Sequence, residues 1–117
     1  MSIDRRVAGR AAERLAEDFL AARGLVILER NFRCRAGEVD LIARDGATLV
    51  FVEVRLRADG RFGGAAASVD ARKQAKVLRA ARFYLANQPD RPCRCDVVAL
   101  DRLDPNRIEW IRDAFSA

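Results

Sequence analysis

Histidine is absent from this chain, and the residues that could stand in for it are few, with only three cysteines present. Without an imidazole, histidine-based acid/base catalysis has no residue to work with. Cys34, Cys93 and Cys95 do not by themselves complete a four-ligand zinc site, and an odd set of thiols reads as reduced cysteine. No Gly-x-Gly-x-x-Gly follows a strand-like run and there is no Walker lysine, so dinucleotide and P-loop chemistry also lack their residues. No apolar run approaches the roughly 20 residues that span a bilayer. The opening stretch MSIDRRVAGRAAERLAEDF is charged throughout, which leads us to expect a cytoplasmic protein with no membrane partner. Repeats and low-complexity tracts are missing too.

What the chain does have is aliphatic residues and arginine. A length of 117 residues with 50% hydrophobic composition fits one compact domain with a single core. The net charge of +5 is unevenly spread: between Val54 and Arg82, eight basic residues stand against Asp59 and Asp70. A concentrated basic segment points to phosphate partners. The plainer reading is compositional, since 20 of the 22 basic residues are arginine and such charges also serve simply to solvate a surface.

The stretch from Glu38 to Arg55, EVDLIARDGATLVFVEVR, organises the rest. Its β-branched and aliphatic runs flank Asp45-Gly46, a dipeptide that favours a two-residue type I′ turn. With those two residues as the loop, Arg44 faces Ala47, Ile42 faces Leu49, Asp40 faces Phe51 and Glu38 faces Glu53. Strand period then puts Glu38, Asp40, Glu53 and Arg55 on one side of the hairpin. Asp40 and Glu53 become diagonal neighbours, roughly 7 to 8 Å apart at the backbone, close enough for two carboxylates to share a cation. Acids gathered on an apolar hairpin need a compensating positive charge, from a divalent metal or from Arg55. Pairing with Arg35, Arg44 or Arg55 on a half-solvated face is the alternative.

An acid on one strand followed by Glu-x-Lys on the next resembles the PD-(D/E)xK signature of restriction-endonuclease-like nucleases. The matching positions here are Asp40, Glu53 and, where lysine is usual, Arg55. An early helix containing Glu13, then RNFRCRAGEVDLIARDG, FVEVRLR, FGGAAASVDARKQAKVL and CRCDVVAL, follow the layout of the bacterial YraN-type uncharacterised family. That family is similar in pattern to archaeal Holliday junction resolvases. The resemblance implies an α/β restriction-endonuclease-like fold, an α/β/α core with a mixed central sheet, and a role with branched DNA. It also suggests a homodimer by analogy with the resolvases.

On that resemblance, Asp40 and Glu53 are expected to hold Mg²⁺, or Mn²⁺, with Glu13 contributing directly or through water. Arg55 would offset charge on the phosphorus, although a guanidinium stays protonated and cannot act as a base. The candidate catalytic set is therefore Glu13, Asp40, Glu53, Arg55 and Gln74, and the candidate activity is metal-dependent cleavage of branched or single-stranded DNA. A catalytically inactive DNA- or RNA-binding module with the same fold is the competing reading.

The remaining elements follow from periodicity. A first helix from about Asp4 to Arg23 carries an apolar stripe of Ala8, Ala11, Ala12, Leu15, Ala16, Phe19 and Ala22, with Glu13 at its border. Leu25 to Glu29 reads as a short strand, followed by an irregular connection rich in arginine. After Arg55, the glycines at 60, 63 and 64 indicate a mobile loop, with Arg57 and Arg61 placed to meet a nucleic-acid backbone. A second helix begins after Asp70 as N-cap and ends near Ala86. Its expected buried arc is Ala71, Ala75, Leu78, Ala81 and Leu85, leaving Arg72, Lys73, Lys76 and Arg79 as a DNA-facing cluster. Gln74 falls inside that arc, either aimed at the acids or satisfied by backbone carbonyls. Cys93 to Leu100 reads as a further strand and Ile108 to Ile111 as the last.

Overall fold

The computed structural model describes residues 5–57 and 69–116. The chain order is α1 (Arg5–Ala22), β1 (Val26–Cys34), β2 (Gly37–Asp45), β3 (Thr48–Leu56), α2 (Ala71–Leu85), β4 (Cys93–Leu100) and β5 (Ile108–Phe115). The strands form one five-stranded sheet in sequence order. β1, β2 and β3 pair antiparallel, β3 and β4 parallel, and β4 and β5 antiparallel. A parallel neighbour cannot be reached by a tight turn, so the connection between β3 and β4 carries α2 across the sheet.

Alternation along the strands sorts the core into two layers. Ala12, Ala16 and Leu20 of α1 pack on Leu41, Ala43, Val50, Val52, Val98 and Leu100. Val77, Ala80 and Ala81 of α2 pack on Val39, Ile42, Leu49, Phe51 and Cys95 from the other face. The result is the α/β/α layering of the restriction-endonuclease-like fold, with a mixed central sheet. No helix among the described residues is long and apolar enough to cross a membrane.

Several boundaries differ from the sequence expectation. β1 does not stop at Glu29 but runs to Cys34, because the arginine-rich stretch pairs with β2 through Phe32↔Val39 and Cys34↔Gly37. β5 likewise extends past Ile111 to Phe115. Both are edge strands, where exposed charged side chains interrupt the apolar pattern without interrupting the ladder.

The central hairpin is shifted by two residues from the expected register. Asp45 pairs with Thr48, Ile42 with Phe51 and Leu41 with Val52, so the loop is Gly46-Ala47. Gly46 has φ of 59° whereas Ala47 does not turn positive, the pattern of a type II′ turn with glycine first. A shift of two keeps Ile42, Leu49 and Phe51 together on one face, as expected.

The α2 helix is also set differently about its axis. Asp70 caps it as expected, accepting from the Lys73 amide at 2.9 Å. The buried line, however, is Val77, Ala80 and Ala81, while Ala71 is exposed and Ala75, Leu78 and Leu85 are half-buried. That setting turns Lys73, one helical turn before Val77, towards the sheet.

Candidate active site

Alternation in β2 breaks at Asp40. Leu41 packs on the α1 layer, yet Val39, two residues earlier, packs on the α2 layer. The paired ladder with β3 ends at Leu41↔Val52, and the Val54 amide beyond it donates instead to Asp40 Oδ2 at 2.8 Å. The Asp40 carboxylate thus takes the place of a backbone acceptor where the two strands part, which locks its position.

Glu53 is the next residue outward on β3 and is 7% exposed. The ladder stops one residue short of it, at Leu41↔Val52, and the expected pairing of Glu38 with Glu53 is not made. Asp40 and Glu53 interact directly, by charge repulsion and by the hydrogen bond that a proton on one would donate to the other. Burial, then the neighbouring Glu53 charge, push the Asp40 carboxyl up to about 8. Burial also raises Glu53, opposed by the Asp40 hydrogen bond and by the Lys73 and Arg55 charges. Two desolvated carboxylates this close cannot both ionise cheaply, so at neutral pH the pair retains a proton.

Glu13 projects from α1 into the same cleft, which has a volume of about 200 Å³ and is also lined by Asn31, Arg33, Glu38, Asp40, Glu53 and Lys73. Burial, followed by the Asp40 charge, raises the Glu13 carboxyl, while a hydrogen bond from Asn31 and the Arg33 and Arg10 charges oppose the rise. Asn31 sits in β1 with φ of 50°, a left-handed conformation that asparagine tolerates better than most residues. Among the described residues no three His, Cys, Asp or Glu side chains are grouped closely enough to hold a metal ion. The ready donors are two, Asp40 and Glu53. Hard oxygen ligands of that number, completed by water and phosphate oxygens, suit Mg²⁺.

The cation nearest the pair comes from the helix. Lys73 Nζ stands 3.8 Å from Glu53 Oε2. Lys76 Nζ stands 3.9 Å from Glu38 Oε1, and Arg33 Nε stands 3.6 Å from Glu38 Oε2. Arg55 acts on Glu53 through its charge, and its buried Nε has no hydrogen-bond partner among the described residues. Gln74 turns away from the acids: its amide nitrogen donates to the Val69 carbonyl at 2.9 Å, tying down the approach to α2. It does not line the cleft.

Of the residues expected to face nucleic acid, Arg72 is exposed beside Lys73 and Lys76 in an adjoining concavity. Arg79 reaches the Ala36 carbonyl at 3.4 Å on the β1–β2 turn. The Arg57 amide continues the β3–β4 ladder by donating to Leu100 at 2.7 Å. Arg61, with most of the loop expected to be mobile, lies outside the described residues. Sequence reasoning missed the place of Lys73 against the acids and the contribution of Asn31. One signal was available for the first: Lys73 and Lys76 are the only lysines among 22 basic residues.

Helices on both faces of a mixed sheet, with an acid on each of two adjacent antiparallel strands, define a restriction-endonuclease-like α/β protein. Within that class the chain belongs to the uncharacterised protein family UPF0102, the YraN family, whose family model matches residues 12–100. The UPF0102 protein of Methylobacillus flagellatus is 51% identical over 109 residues, covering 93% of this chain and 96% of its own. That of Nitrosospira multiformis is 55% identical over 111 residues, covering 94% and 93%. A UPF0102 protein of Nitrosomonas europaea is 54% identical over 108 residues, covering 92% of each.

Proposed function

We propose that this protein is a metal-dependent endonuclease that hydrolyses phosphodiester bonds, with branched or single-stranded DNA as substrate. The observation that carries this reading is the placement of the Asp40 carboxylate, fixed by the Val54 amide at 2.8 Å, beside buried Glu53 in one cleft, with Lys73 Nζ 3.8 Å from Glu53. A divalent cation would replace the shared proton and relieve the repulsion between the two carboxylates, so the donor set fits Mg²⁺ or Mn²⁺. Held there, such an ion would supply Lewis-acid polarisation of a phosphoryl oxygen and a lowered pKa for bound water.

The chain's own residues supply the remainder. Asp40 and Glu53 would hold the metal, and Glu13, whose carboxyl feels the Asp40 charge and the Asn31 hydrogen bond, would orient water at the cleft's α1 side. Lys73 and Arg55 bring fixed positive charge to the place where phosphate charge builds in the transition state. Gln74 is a positioning residue, holding Val69 and the first turn of α2.

The test compares wild type with Asp40→Asn and Glu53→Gln on junction, flap, single-stranded and duplex DNA, in Mg²⁺, Mn²⁺ or EDTA. Metal-dependent cutting that vanishes in both variants is the expected result, and it ranks the substrates. Cutting that survives in both variants is a contaminant. Binding without cutting transfers the reading to a nucleic-acid-binding module, for which Asp40→Asn leaves binding unchanged or strengthens it.

A further inference from the structure

The cleft at Asp40 and Glu53 is the middle of a longer channel. Towards α1 it shares Gly9, Glu13, Asn31 and Arg33 with a concavity that Arg6 and Arg10 extend. Towards α2 it shares Glu38, Glu53 and Lys73 with another that Arg72 and Lys76 extend. Acids occupy the centre beside Arg33 and Lys73, and cations stand at both ends, joined at the α2 end by Asp70, whose carboxylate accepts from the Lys73 amide as the helix cap. The basic cluster of α2 is therefore only one wall, and α1 with β1 builds the other.

Glu38 marks where the walls meet. Its two carboxylate oxygens hold Arg33 from β1 at 3.6 Å and Lys76 from α2 at 3.9 Å. The side chains of Glu38, Arg33 and Lys76 are 52%, 74% and 41% exposed, so these ion pairs are weak in water and yield readily to a phosphate. Arg10 and Arg72 are exposed at the outer ends.

We propose that one DNA strand crosses this channel from the Arg10 and Arg33 side to the Arg72 and Lys76 side. Its phosphates are held on both walls, and the phosphodiester between them lies over Asp40 and Glu53. The inference rests on the nucleic-acid reading of the same site and extends it, adding α1 and β1 to the binding surface and giving the strand a direction across the sheet rather than along α2.

The experiment is fluorescence anisotropy of a labelled duplex oligonucleotide, and of its single strand, across a salt series in EDTA so that nothing is cut. Two double variants each remove the cations of one wall: Arg10→Gln with Arg33→Gln, and Arg72→Gln with Lys76→Gln. A third, Arg44→Gln with Arg91→Gln, removes the same charge at the Gly46-Ala47 turn, where both side chains bond to backbone carbonyls. Each lost phosphate contact flattens the dependence of log K on log salt by about 0.9 on duplex and about 0.7 on single strand, so each wall variant is expected to flatten it by about 1.8 and about 1.4 respectively. The turn variant is expected to keep the wild-type slope.

A wild-type slope in the Arg10 and Arg33 variant, with loss only in the α2 variant, overturns the two-walled channel. Absence of salt-dependent DNA binding by wild type also overturns it. Cleavage in Mg²⁺ is read on the same preparations. Loss of binding at both walls without any cutting keeps the channel and removes the endonuclease. Cutting by wild type with unimpaired binding in the Arg10 and Arg33 variant does the reverse.

Discussion

The backbone amide of Val54 donates to Asp40 Oδ2 at 2.8 Å, so a side chain completes the ladder at the point where β2 leaves β3. This bond and burial oppose each other in their effect on Asp40. The amide favours the carboxylate, while desolvation and the adjacent Glu53 favour the acid and prevail, placing the group at about 8.

Stability in the absence of metal should accordingly fall as pH rises. An unfolded aspartate titrates near about 3.9. Between there and about 8 the folded chain holds a proton that the unfolded chain has released, so each step upward in pH favours unfolding. Urea melts in EDTA should give a lower midpoint at pH 8 than at pH 5. Asp40→Asn imitates the protonated acid, so its midpoint should change less over this range and exceed that of wild type at pH 8. Mg²⁺ should restore wild type and leave the variant unmoved. A wild-type midpoint that climbs from pH 5 to pH 8 in step with Asp40→Asn would remove the shared proton from the account.

Lys73 and Arg55 make different demands on the same carboxylate. Lys73 approaches Glu53 from α2 at 3.8 Å, whereas Arg55 belongs to the same strand and stays protonated at any ordinary pH. If the nuclease reading holds, Lys73→Met should reduce single-turnover cleavage by about 10²–10³, the range for loss of one transition-state donor. Lys73→Arg should keep part of the rate, and Arg55→Lys should stay within about tenfold of wild type, on the same scale. The reverse ranking, with Arg55→Met inactive and Lys73→Met unharmed, would return the role to the strand position.

Asp96 is a third buried acid with a different fate. It is fully buried and accepts from Arg94 Nε at 3.0 Å, Trp110 Nε1 at 2.9 Å and the Asp113 amide at 2.9 Å. Asp113 has φ of 52° at the irregular end of the β4–β5 pairing, so Asp96 fixes that bend. Asp96→Ala leaves the Trp110 ring nitrogen and the Asp113 amide without their acceptor while Arg94 keeps Asp45 at 3.0 Å, so it should cost about 1–3 kcal/mol for each orphaned donor in denaturant unfolding. Because the bonds of Asp96 all stay within β4, β5 and Arg94, DNA binding by the protein that remains folded should be unchanged. A cost below about 1 kcal/mol, the size of a surface pair, would mean that the network is solvated.

The two helices were legible because the stripe holding Ala12 and Ala16, and Asp70 ahead of a charged and apolar repeat, are local signals, although fully buried Leu20 stood outside that stripe and Ala22, counted in it, is exposed. The faces of the central hairpin from Leu41 to Val52 were legible from period 2, but its register was not. Gly46 can serve either position of a two-residue turn, and only the packing of Ile42 against Phe51 selects one. The acids of the site were readable as a pattern, yet their contact was not, since the break at Asp40 depends on Val39 and Leu41 packing in different layers. Lys73 was read as a surface cation because a difference of one position in the buried line of α2 decides whether it meets solvent or Glu53. That setting is a tertiary property, carried in part by how closely α2 lies on β2.

Gly37 controls that approach. A Cβ at this position would lie 2.7 Å from the Ala80 amide nitrogen and 3.0 Å from the Lys76 carbonyl oxygen, both backbone atoms of α2. Neither can move aside by changing rotamer, so Gly37→Ala has to push the helix off the strand. Overpacking of this kind costs about 1–3 kcal/mol. Lys73 and Lys76 ride on the displaced turns, so the variant should also lose cleavage and weaken DNA binding under conditions where it is fully folded. Ala80→Gly provides the comparison: it loses about 1 kcal/mol of helix stability without widening the gap. If the two variants, matched in residual stability, cut and bind DNA equally well, the spacing of α2 from β2 does not set the position of Lys73. Retention by Ala80→Gly and loss by Gly37→Ala are the expected pair.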